Sequence, residues 1–76
     1  MADLRRQLQA EMAEAEYRAW DSLARYKFVM YGYWCGVWVH LNRVGEFRHP
    51  NPWAGLVKQA KPSARIAKHK LGGGRR

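Results

Sequence analysis

Fourteen lysines and arginines, three histidines and one cysteine are the residues of this 76-residue chain whose types invite chemistry. Their spacing decides how much. His40, His49, His69 and Cys35 are the soft metal ligands, and they show none of the Cys-x-x-Cys, His-x-x-x-His or His-Glu-x-x-His spacings that hold zinc, so no metal and no cofactor are expected. A nucleophile and base pair of Cys35 with His40 fails on geometry. At i, i+5 the two side chains point well apart around a helix, which makes Cys35 a small buried thiol. Glu14 and Asp21 are not expected to act as an acid and base pair, since both belong to a solvated ladder of alternating charge. Gly72-Gly73-Gly74 opens no helix and lacks the Lys-Ser/Thr of a phosphate loop, so it reads as a linker leading to Arg75 and Arg76. An enzyme is not expected.

The basic residues carry more. The net charge is +8, yet residues 1 to 47 hold six basic and six acidic side chains and are neutral. Residues 48 to 76 hold Arg48, Lys58, Lys61, Arg65, Lys68, Lys70, Arg75 and Arg76 with no acid. Cations recurring about once in three residues with nothing to neutralise them suit successive phosphates. A polyanion, nucleic acid or a ribonucleoprotein, is therefore the expected partner of these eight residues. No helix-turn-helix, zinc-finger or ribonucleoprotein-type motif accompanies them, which argues against sequence readout.

The elements that position these residues are helical. Between Trp20 and Val44 lie seven of the ten aromatic residues. At about 100° per residue Trp20, Leu23, Lys27, Tyr31, Trp34, Trp38 and Leu41 fall on one stripe, while Gly32 and Gly36 form a Gly-x-x-x-Gly groove on the other side. Upstream, Leu4, Leu8, Met12, Ala15 and Ala19 extend the apolar stripe from an Asp3 cap, and Glu14, Arg18, Asp21 and Arg25 form a ladder of alternating charge. One straight helix from Asp3 to Val44 would measure about 60 Å. So either it breaks, at the Asp21-Ser22 cap signal or at Gly32 to Gly36, or chains pair along it through Trp20, Tyr31, Gly32, Trp34, Gly36 and Trp38. Gly45 is expected as the left-handed residue that terminates the helix.

Asn51-Pro52 reads as N-cap and first helical residue. Trp53, Leu56, Val57 and Ala60 share a face that should dock on the Trp34/Trp38 stripe, in the same chain or in a second copy, which adds Trp53 to the expected packing and oligomer interface. Pro62 is expected to stop this helix by Lys61, and Ser63 to cap a last short helix over Ala64 to Lys70. The uncharged run Phe28 to Leu41 has fourteen residues where a bilayer needs about twenty, so a membrane span is not expected. A lone cysteine and a polar N-terminus unlike a signal peptide predict a cytoplasmic protein.

The expectation is an all-α fold with one helical domain over residues 1–60 and a basic, weakly ordered segment over 61–76. Its function is expected to be non-enzymatic contact with nucleic acid. The alternatives are a protein adaptor or inhibitor, cellular or viral, gripping a partner with its aromatic face, and a short helix at a membrane interface. A homo-oligomer would cover what so short a chain leaves exposed.

Overall fold

The computed structural model describes residues 2–74, which form three helices and no strand: α1 (Ala2–Ala24), α2 (Phe28–Val44) and α3 (Ala54–Gly74). α1 and α2 are an antiparallel hairpin. The Arg5 guanidinium near the start of α1 donates to the carbonyl of Gly45 past the end of α2 (3.1 Å), and Arg18 lies 5.2 Å over the Trp34 ring.

The seam follows from the sequence pattern. Met12, Ala15, Ala19 and Ser22 recur at i, i+3, i+7 and i+10, the spacing of one helix edge, and all four are buried. Three of these side chains are small, so α1 approaches α2 closely and the bulk needed to fill the interface comes from Trp38, with Tyr31, Trp34, Cys35, Val37 and Leu41 packed around it. The pairing anticipated between chains is thus supplied by α2 of the same chain.

The break that permits this lies at neither expected place. α1 runs through Asp21 and Ser22, and α2 runs uninterrupted through Gly32 and Gly36. The chain instead turns at Tyr26, which adopts φ 62°. There the Lys27 amide donates to the Ser22 carbonyl (2.8 Å) and the Tyr26 amide to the Leu23 carbonyl (3.1 Å), the paired bonds of a Schellman C-cap. A tyrosine in the left-handed position gives no warning in sequence, because glycine usually fills it.

α2 ends the same way, one residue later than expected. Gly45 is right-handed at φ −82°, and Glu46 takes the left-handed position at φ 52°. Phe47 then donates its amide to the Asn42 carbonyl and Glu46 to that of Arg43, both at 3.1 Å. Gly45 is needed for another reason. A Cβ there would collide with the Phe47 ring, which folds back to lie 4.5 Å from the Arg5 guanidinium and stacks on His49 at 5.4 Å.

α3 departs furthest from expectation. Asn51 does cap the turn into it, its side chain accepting the Trp53 amide at 2.8 Å. Pro62 does not stop it. The helix passes through Pro62, which removes one amide donor and crowds the carbonyl four residues back, and Ser63 is no cap but sits in mid-helix with its hydroxyl donating to the Gln59 carbonyl (3.1 Å). The triple glycine continues the helical backbone to Gly74. Trp53 is buried as expected, but Leu56, Val57 and Ala60 are exposed, and α3 packs against neither α1 nor α2. α1 already covers the stripe on which those residues were expected to dock. The described molecule is therefore elongated, 60 × 25 × 16 Å, with α3 projecting from the hairpin.

Candidate functional site

Trp53 fixes the origin of α3. Its ring meets Trp38 (centroids 5.7 Å, 83°), Tyr31 (6.2 Å, 89°) and Trp20 (6.0 Å, 46°), and these edge-to-face and tilted contacts suit aromatic quadrupoles. The indole N–H is buried with no hydrogen-bond partner, so the anchor rests on packing alone. Around it Tyr31 is pushed up to about 12, first by burial and then by the adjacent Cys35 thiol. Cys35 is raised by burial too, and the Tyr31 hydroxyl partly offsets this by favouring the thiolate.

Beyond Trp53, helical geometry sorts the basic residues. Lys58, Lys61, Arg65 and Lys68 follow one another at i+3, i+4 and i+3, forming a line along one face of α3, and every one is exposed. Lys70 falls on a different flank. Arg48 is not on α3 at all. It lies exposed in the connector after α2 at φ 59°, in a shallow depression shared with Val39, Asn42, Arg43 and Glu46. Arg75 and Arg76 lie outside the described residues.

Reading Pro62 as a stop hid the continuity of this line, since it assigned Lys58 and Arg65 to different elements. It also hid Ala60, Ala64 and Ala67, a strip of small side chains beside the cations. The signal was present in the 3.6-residue period.

The residues expected to pair chains are mostly spent inside this one. Trp38 and Trp53 are buried, while Tyr31 and Trp34 are half-buried in the same cluster. Trp20 is 39% exposed, its indole N–H reaching Glu16 at 3.4 Å. Gly32 and Gly36 behave differently. Both face outward, and a Cβ on either would meet nothing within 4 Å. Exposed Val29, Tyr33 and Val39 flank them, and a shallow groove runs from Glu11 past both glycines to His40.

Comparison with known protein families, with characterised proteins and with solved structures finds no match. The reading of function therefore stands on the chain's own chemistry. Among the described residues no three of His, Cys, Asp and Glu gather as metal ligands, and no helix is long and apolar enough to cross a membrane.

Proposed function

We propose that the protein is a non-enzymatic, cytoplasmic binding protein that contacts nucleic acid, free or within a ribonucleoprotein, through α3. One observation carries this reading. Lys58, Lys61, Arg65 and Lys68 form an exposed line on a helix that has no acidic residue and no packing partner in its own chain beyond Trp53. Nothing else among the described residues concentrates charge of one sign in this way.

Binding of this kind is governed by counterion release. Four phosphate contacts on a duplex should give a slope of log K against log salt of roughly −3.6. Fluorescence anisotropy with a labelled oligonucleotide over a salt series measures it. Truncation after Ala60 removes Lys61, Arg65 and Lys68 but keeps the hairpin and Trp53, and should abolish most of the affinity and of the slope. Equal binding by the truncated chain, or no binding by the full chain at low salt, overturns the reading.

A second reading has its own observation. The open Gly32/Gly36 face with exposed Val29, Tyr33 and Val39 is an apolar helix surface without a neighbour, which favours a protein partner or a second copy of the chain.

A further inference from the structure

We infer that the nucleic acid is B-form duplex DNA and that α3 lies lengthwise in its major groove. The inference rests on the polyanion reading and names the substrate class within it. An α-helix with its side chains is about 10–12 Å across, and the B-DNA major groove is about 12 Å wide. Entry requires a helix whose groove-facing side is free of its own protein. α3 is such a helix, since it packs against neither α1 nor α2 and its residues are exposed from Ala54 to Leu71.

The side chains are arranged for two walls and a floor. Ala60, Ala64 and Ala67 form a strip of small residues, bounded at its ends by exposed Leu56, Val57 and Leu71, that lets the middle of the helix approach base edges closely, with alanine methyls suited to contact thymine methyls. The line of Lys58, Lys61, Arg65 and Lys68 runs about 110° to one side of that strip, and Lys70 lies about 90° to the other. From Lys58 to Lys68 the helix rises about 15 Å. The groove winds round the duplex, so successive phosphates of a strand lie about twice as far apart along it as their 3.4 Å rise on the axis, and the four cations face roughly two to three phosphates of one strand while Lys70 faces the other. A single strand has no second wall. A-form RNA has a major groove too narrow to admit the helix.

Free α3 also carries a conflict that this partner resolves. Its cations repel one another at i+3 and i+4, and Pro62 weakens the same turns. Phosphates along the line remove the repulsion, so binding should raise helical content.

The test measures affinity of the full chain, at matched salt, for a two-turn DNA duplex, the RNA duplex of the same sequence and either DNA strand alone, with far-UV circular dichroism of each complex. The duplex DNA should bind at least about tenfold more tightly than the others and should alone increase helicity. Ala64→Phe places bulk on the floor at an exposed position where the fold is indifferent to it. This variant should lose about tenfold toward duplex DNA and keep its single-strand affinity. Equal affinity for all three nucleic acids, or an Ala64→Phe variant that binds duplex DNA normally, overturns the groove inference while leaving the polyanion reading intact. No binding to any of them ends both.

Discussion

Trp53 is the residue on which the relation between α3 and the hairpin depends. It is 3% exposed and touches three aromatic rings, so Trp53→Ala should cost about 3–5 kcal/mol, much of what a domain of this size possesses. Thermal melts followed by near-UV circular dichroism would show a sharply lowered midpoint. Trp53→Phe keeps an aromatic ring and removes the unpaired indole donor, and should be clearly milder; two variants with equal melts would mean the ring contacts contribute little. Tyr31 gives a pH signature. The folded state holds its phenol neutral, up to about 12 against an ordinary 10.0, so its contribution is complete below pH 10 and is lost as pH rises toward 12. Cys35, also raised, acts in the same direction. Denaturation midpoints at pH 9 and above 11 should therefore fall further for the natural chain than for Tyr31→Phe, since deprotonation of the lysines is common to both.

The helices are set by how they end. Both α1 and α2 close with Schellman caps whose left-handed positions hold Tyr26 and Glu46 in place of glycine. A non-glycine residue there costs about 1–2 kcal/mol, and Tyr26 is 81% exposed, so its side chain recovers little beyond an edge contact with Phe28 at 6.2 Å. Tyr26→Gly should stabilise the hairpin by up to about 1 kcal/mol, read as a higher urea midpoint with an unchanged m-value. A destabilised variant would show that the turn is not fixed by this cap. α3 lives under different rules. Because α3 packs against neither other helix and is tied down only by Trp53 before it, its helicity depends on local propensity, to which Gly55, Pro62 and the cation line are all unfavourable.

At the scale of the whole molecule, α3 makes the chain long. Its radius of gyration is 16.3 Å, where a compact chain of this length has about 11 Å. The two proposed surfaces divide the molecule, cations on α3 and an apolar glycine face on α2, so their occupants need not compete. If α2 pairs with a second copy, light scattering after size exclusion should give a dimer mass that Gly32→Leu with Gly36→Leu returns to 8.9 kDa. Those positions have open space within the chain, so the substitutions leave the hairpin seam untouched. A monomer at high micromolar concentration would rule out pairing and leave a heterologous protein as the occupant.

The amino-acid sequence alone determined the all-helical class, the seam of Met12, Ala15 and Ala19, the end of α2 near Gly45, the Asn51 cap, the anchoring role of Trp53 and the acid-free basic run. The class, the seam and the caps are written in a period or a local hydrogen bond, and the basic run in composition, while Trp53 declares itself as the one large aromatic after Phe47 and finds its partners only in the fold. Tertiary structure decided the rest. The turn at Tyr26 exists because burying the α1 seam against Trp38 offsets a left-handed tyrosine, a balance that propensity cannot reveal. α3 was left undocked because α1 had already taken the face that Leu56 and Val57 were expected to cover, and only a count of which surfaces remain free shows that. Passage of the helix through Pro62 joined Lys58 and Lys61 to Arg65 and Lys68, turning scattered charges into one line.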